Sequence, residues 1–112
     1  MTIQEQYEHL EKTIRGYNPS ADLAHIRTAF EYADRCHAGQ KRKSGEPYII
    51  HPLAVAQIVA EELKLDSESI EAALLHDVIE DTPAEHADVS RLFSPTIADL
   101  VEGVSKLTRI QY

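Results

Sequence analysis

The segment from Ile70 to Asp81 constrains this chain more than any other. It reads Ile70-Glu71-Ala72-Ala73-Leu74-Leu75-His76-Asp77-Val78-Ile79-Glu80-Asp81. On a helix, Ile70, Ala73, Leu74, Asp77, Val78 and Asp81 form one stripe, and Ala72, Leu75, His76, Ile79 and Glu80 form the adjoining one. A helix that is apolar on both sides packs inside a domain, so other helices must surround it. Yet His76-Asp77 sit in its middle, and no Lys or Arg follows Lys64 on this helix to neutralise Asp77. A buried carboxylate needs a proton, an ion pair or a metal. Two answers stand at this point: a bound metal, or a buried histidine hydrogen-bonded within its surroundings.

The flanking segments supply helices to do the surrounding. Ile3 to about Tyr17 is loosely amphipathic through Ile3, Tyr7, Leu10 and Ile14, and it closes at Gly16-Tyr17-Asn18-Pro19. Ser20 then reads as an N-cap for a helix with Leu23, Ile26, Phe30, Ala33 and His37 on one face, ended by Gly39. Residues 40–50 have no helical period and contain turn residues, so they form a loop. His51-Pro52 restarts a helix, with Pro at the first helical position and a buried stripe of Val55, Ile58, Val59 and Leu63. Asp66 or Ser67 caps the central helix, which stops near Thr82-Pro83. A short helix around Glu85 to Phe93 follows. Ser94-Pro95 opens the last one, with Ile97, Leu100, Val101, Val104 and Leu107 as its face. No stretch alternates as a strand would. The class is all-α.

Charge narrows the function. Among 112 residues, 11 Lys and Arg stand against 19 Asp and Glu, for a net charge of −8. That balance argues against a general DNA-binding protein, which must displace counterions from phosphates, while leaving room for a small phosphorylated ligand. No run approaches a spanning helix, so no membrane partner is expected. Met1-Thr2-Ile3-Gln4-Glu5-Gln6 has neither a basic nor an apolar leader region, and the single Cys36 excludes an intramolecular disulfide. These features read as cytoplasmic.

His51 strengthens the metal answer. The short Leu65-Asp66 connection makes its helix and the central one antiparallel neighbours, so the start of one can approach the end of the other. A His51, His76 and Asp77 set of nitrogen and oxygen donors suits Mn, Fe, Zn or Ni better than Mg or Ca. Glu80 and Asp81 follow at i+4 from His76 and Asp77, where they can orient water or move a proton; the plainer alternative is a polar helix end. Just before His51, Lys41-Arg42-Lys43 concentrates positive charge and Ser44-Gly45 permits a tight turn. An Arg can stack on a base or grip a phosphate, and a Lys supplies a point charge.

Three ordered motifs now coincide: residues 40–52 (Gln-Lys-Arg-Lys-Ser-Gly-Glu-Pro-Tyr-Ile-Ile-His-Pro), residues 72–82 (Ala-Ala-Leu-Leu-His-Asp-Val-Ile-Glu-Asp-Thr) and residues 101–107 (Val-Glu-Gly-Val-Ser-Lys-Leu). Together they closely resemble the N-terminal HD hydrolase domain of the RelA/SpoT family, over about residues 20–110. The resemblance implies an all-α HD-domain helical bundle and a Mn-dependent hydrolase that removes the 3′-pyrophosphate of guanosine tetra- and pentaphosphate, returning GDP or GTP. It implies His51, His76 and Asp77 as metal ligands and Glu80 and Asp81 as the acidic pair needed for hydrolysis. Arg42, Lys43 and Ser44 match the loop that receives the nucleotide, Arg42 against the base, and Tyr48 within that loop is a further candidate contact.

The same resemblance carries a departure. The family takes a second Asp ligand from a later motif resembling Lys-Leu-Ala-Asp-Arg-Leu-His-Asn, which this sequence does not contain; Asp88 and Asp99 lack that context. The expectation is a single partial HD domain over 1–112, incomplete at the C-terminus, with 1–19 as an N-terminal helix and turn and 20–112 as the HD core. Uncovered apolar surface on the last and central helices then predicts a homo-oligomer. Two other functions compete: an HD phosphohydrolase for another nucleotide, and a non-catalytic fragment with a regulatory role. His9, His25 and His86 lack acidic or histidine partners at ligand spacing and are expected to face solvent. Cys36 and His37 are expected to pack at a helix end.

Overall fold

Thr2 opens the first helix with a reciprocal cap: its hydroxyl accepts from the Glu5 N–H, and the Glu5 carboxylate accepts from the Thr2 N–H. The computed structural model describes residues 2–110, with side chains through Gly103. Helix α1 spans Ile3–Tyr17, and its predicted stripe holds, with Tyr7, Leu10 and Ile14 buried. Helix α2 spans Leu23–Cys36. Its cap is Asp22, whose Oδ1 accepts from the His25 N–H at 3.0 Å, and not Ser20, whose hydroxyl donates to Asn18 Oδ1 instead. Both side chains are competent caps, and the turn after Pro19 decides between them. Gly39 turns the chain beyond α2 with φ +84°.

Helix α3 spans Ile50–Ile58 and runs on through a π turn, Val59–Leu63. The wide turn closes where the Lys64 N–H donates to the Val59 carbonyl, five residues back, and Lys64 adopts the left-handed conformation at φ 50°. Pro52 is the third helical residue, not the first; its missing N–H costs nothing anywhere in the first turn. The expected stripe is corrected here. Leu53, Ala56 and Ala60 form the buried face, while Ile58 and Leu63 are 58% and 61% exposed. Two overlapping patterns compete on this helix, large aliphatics and small alanines. The alanine side wins because α3 lies directly against α1 and α4.

Helix α4 spans Ser67–Leu75 and is capped by Asp66, whose Oδ1 accepts from the Ser69 N–H at 3.0 Å. It packs against α2, α3 and α7 (Pro95–Ile110), and every residue from Ile70 to Val78 is buried. Each Leu in that run is stabilised by roughly 1.5–3 kcal/mol through its removal from water. The expected single helix to Thr82 is broken at His76-Asp77, and a short α5, Val78–Asp81, follows. Helix α6 (His86–Leu92) packs on α7, whose first turn is capped by Ser94 accepting from the Ile97 N–H.

On α7, Ile97, Ala98 and Val101 are buried within the chain, and Leu100 is 38% exposed; the expected positions Val104 and Leu107 lie outside the described side chains. Neither the central helix nor the first half of the last is therefore bare, which corrects the expected extent of uncovered apolar surface. Among the described residues, helices carry the fold, and the one β-type pairing is an isolated bridge between Lys41 and Pro47. No helix there is long and apolar enough to cross a membrane.

Candidate metal centre and basic loop

The break in the central helix builds the centre. Consecutive side chains on a regular helix point about 100° apart, which would separate His76 from Asp77. At Leu75 the helix ends, Asp77 takes φ −96° and ψ −4°, and the two side chains meet: His76 Nε2 lies 3.1 Å from Asp77 Oδ2. His76 Nδ1 lies 2.6 Å from the Ala73 carbonyl, which can only accept. Nδ1 therefore carries a proton, and Nε2 is the nitrogen turned toward Asp77.

His51 arrives from the start of α3, where its N–H donates to the Tyr48 carbonyl and the buried Ile49 anchors the turn. Its Nε2 lies 3.5 Å from the same Asp77 oxygen, and its ring meets that of His76 edge-on at 5.4 Å. One donor atom from each of His51, His76 and Asp77 lies within 4.8 Å of the others. Metal bonds of about 2.1 Å place neighbouring donors about 3.0 Å apart at right angles and about 3.4 Å at tetrahedral angles. Of the two donor separations, 3.1 Å lies inside that range and 3.5 Å just beyond its tetrahedral end. The residues present fit a divalent ion.

Electrostatics agree. Burial opposes charge on Asp77, but hydrogen bonds from His76 and Tyr48 outweigh it and hold the carboxyl below its ordinary range. Burial likewise opposes charge on His76, yet the Asp77 carboxylate lifts it above the usual imidazole value. For His51 burial wins, and its pKa is lowered despite Asp77. The centre thus keeps an ionised carboxylate beside one imidazole poised to be neutral.

The basic loop abuts this centre. Arg42 N–H donates to the Glu46 carbonyl, Gly45 N–H to the Arg42 carbonyl, and Tyr48 N–H to the Gln40 carbonyl, so residues 40–48 form a closed tongue. Gly45 sits at φ +90°, which its turn requires and a side chain would strain. Lys41, Arg42, Lys43, Ser44, Glu46 and Tyr48 line an open cleft of about 570 Å³. Tyr48 belongs to both parts: its hydroxyl lies 3.0 Å from Asp77 Oδ2 and 3.0 Å from Asp81 Oδ2.

Of the acidic pair, Asp81 is joined to the centre through Tyr48, whereas Glu80 is exposed on α5 outside the three-donor cluster. Asp88 serves instead as a cap, accepting from the Glu85 N–H, and Asp99 pairs with His86 at 3.1 Å. The expectation that three histidines lack acidic partners is corrected. His25 Nδ1 lies 2.6 Å from Glu71 Oε1, which is buried, and His9 lies 3.6 Å from Glu61. These pairs bridge different helices, so linear spacing could not reveal them.

Two residues near the centre are no part of the expected site. Gln40 Nε2 donates to the Asp81 carbonyl at 2.6 Å, and buried His37 packs its ring 4.7 Å from that of Tyr48. His37 does pack at its helix end as expected, beside a half-buried Cys36.

A family model described as HD domain matches residues 29–112. The chain belongs to the HD domain family. This HD domain is 52% identical over 106 residues to the bifunctional (p)ppGpp synthase/hydrolase SpoT of Escherichia coli K12, covering 95% of this chain and 15% of the relative. It is 49% identical over 105 residues to the guanosine-3′,5′-bis(diphosphate) 3′-pyrophosphohydrolase of Aquifex aeolicus VF5, covering 94% of this chain and 15% of the relative. A solved structure described as "A metazoan ortholog of SpoT hydrolyzes ppGpp and plays a role in starvation responses" superposes with a TM-score of 0.67 at 38% identity, covering 70% of this chain and 46% of that one. The HD domain therefore spans about 15% of the length of these curated relatives. The all-α HD bundle and the resemblance to SpoT-type proteins, both legible in the three motifs, are borne out.

Proposed function

We propose that this HD domain hydrolyses the 3′-pyrophosphate of guanosine tetra- or pentaphosphate, yielding GDP or GTP. The observation that carries this reading is the convergence of His51, His76 and Asp77 at one point beside the cleft of the basic loop. SpoT-type names among the relatives support the choice of substrate.

In this reading His51 Nε2, His76 Nε2 and Asp77 Oδ2 hold a divalent ion, taken to be Mn²⁺ on the resemblance. When bound, such an ion supplies Lewis acidity toward a phosphoryl oxygen and lowers the pKa of water. The chain's own residues do the rest. Arg42 offers a planar guanidinium to the base, Lys43 a positive charge to a phosphate, and Ser44 a hydroxyl at the turn. Tyr48 lines the cleft and offers its ring as a further contact to the nucleotide. Asp81 and Glu80, at the end of α5, orient the attacking water and take or return its proton.

Residues 1–112 make up a single partial domain in this proposal, with 1–19 as the N-terminal helix and turn and 20–112 as the HD core. The setting is cytoplasmic, without DNA or membrane partners. We further propose self-association through an apolar groove of about 310 Å³ lined by Val55, Val59, Leu63, Leu65 and Leu100.

Binding of guanosine tetraphosphate against dGTP, at fixed Mn²⁺, tests the substrate assignment. A clear preference for the tetraphosphate is expected, with pyrophosphate released on turnover. Equal binding of the two nucleotides would refute the assignment.

A further inference from the structure

We infer that Tyr48 is a positioning residue whose hydroxyl ties the basic loop to the carboxylates of Asp77 and Asp81. The inference deepens the proposed metal-dependent function and rests on it for the identity of the site.

Two observations support the tie. The Tyr48 hydroxyl has one proton and stands 3.0 Å from an oxygen of each carboxylate, so it can donate to either one while remaining between them. Asp77 Oδ2, the oxygen it reaches, is the same atom that faces both His51 and His76. Without that donor Asp77 Oδ2 would be held by His76 alone, and the Asp81 carboxylate would lose its bond to Tyr48.

The backbone of Tyr48 is fixed from the other side. Its N–H donates to the Gln40 carbonyl, and its carbonyl accepts from the His51 N–H. Gln40 in turn donates its side-chain amide to the Asp81 carbonyl at 2.6 Å, giving the loop a second hold on α5. His37, fully enclosed and hydrogen-bonded to Gln40 through Nδ1, packs on the Tyr48 ring and limits its swing. The loop, the start of α3 and the end of α5 therefore meet at one side chain. Partners that orient a metal-binding carboxylate commonly change metal affinity by about 10–100-fold when removed.

Tyr48→Phe isolates the hydroxyl, because the ring and its packing on His37 remain. Two readouts are taken on the whole chain without nucleotide: the Co²⁺ dissociation constant by titration, and hydrogen exchange of the Arg42 and Gly45 amides. The melting temperature is followed alongside, and Gln40→Met is measured as a second variant that cuts the other link to Asp81. Tyr48→Phe should weaken Co²⁺ binding about tenfold and speed exchange of both loop amides several-fold. Unchanged exchange, or faster exchange with unchanged Co²⁺ affinity, overturns the inference; in either case Tyr48 acts through packing or substrate contact alone. If the unsubstituted chain takes up no Co²⁺, the metal-centre reading fails on its own, and the exchange of the two amides decides whether Tyr48 ties loop to helix.

Discussion

Nε2 of His51 and Oδ2 of Asp77 lie 3.5 Å apart although they come from different helices, one at the start of α3 and the other just beyond the end of α4. The antiparallel course of those helices creates the approach. The break after Leu75 then turns Asp77 into it, so that a single carboxylate oxygen faces two imidazoles.

Asp77→Asn replaces that anionic oxygen with a neutral amide. Divalent metal binding should fall by more than the roughly 10–100-fold typical of losing an orienting partner, taking turnover with it. Glu80→Gln, by contrast, should leave metal affinity within about twofold and lower turnover about 10²–10⁴-fold, as expected of a group that handles water or a proton. Metal titration and pyrophosphate release, measured on both variants, separate the two roles.

Arg42 lines the cleft and belongs to no described ion pair, so its guanidinium is available to a ligand. Arg42→Ala should weaken guanosine tetraphosphate binding by about 1.5–3 kcal/mol, the worth of a hydrogen bond to a charged group, with metal affinity unchanged. Calorimetry with nucleotide and with metal, run separately, checks both halves. Parallel loss of metal would make the loop a structural part of the centre.

Asp66 caps α4 from outside the centre, and its hydrogen bonds with Ser69 hold its carboxyl below the ordinary range. Asp66→Ala should cost about 1 kcal/mol, or a melting temperature lower by about 4–8 °C for a domain near this size. The sign of the pH dependence follows from the lowered value. The cap's contribution is complete above the pKa that Asp66 has in the unfolded chain, and it is lost as pH falls through the depressed folded value. Wild type and variant should therefore converge in stability at acid pH.

The groove between α3 with its π turn, α4 and α7 exposes Leu63 and Leu100, at 61% and 38%. Burying such a patch against a second copy would stabilise a dimer by about 25 cal/mol per Å² of apolar surface removed from water. Sedimentation at micromolar concentration should show that dimer, and Leu63→Glu should return it to monomer. A folded monomer in the unsubstituted chain would refute self-association.

Much of this architecture was legible along the chain. The 3-and-4 spacing of apolar residues located α1, α2 and the core of α4, and the Pro95 and Asp66 signals placed helix starts, because these are local preferences of backbone and side chain. His51, His76 and Asp77 were recognisable as candidates for a related reason. A charged residue in an apolar helix is anomalous wherever it occurs, and short loops limit what can approach it.

Tertiary structure decided what local preference leaves open. The large aliphatics of α3 and its alanines both satisfy helical spacing, and only the position of α1 and α4 determines that Leu53, Ala56 and Ala60 are covered. The turn at His76-Asp77 carries no Gly or Pro to announce it, so the exact meeting of the two side chains arises from packing. The reach of the Tyr48 hydroxyl to Asp77 and Asp81, and the contact of His25 with Glu71, join residues far apart in sequence. A linear pattern records which side chains can form such bonds; their partners follow only from the three-dimensional arrangement, where burial makes an unpaired polar group costly and a paired one stable.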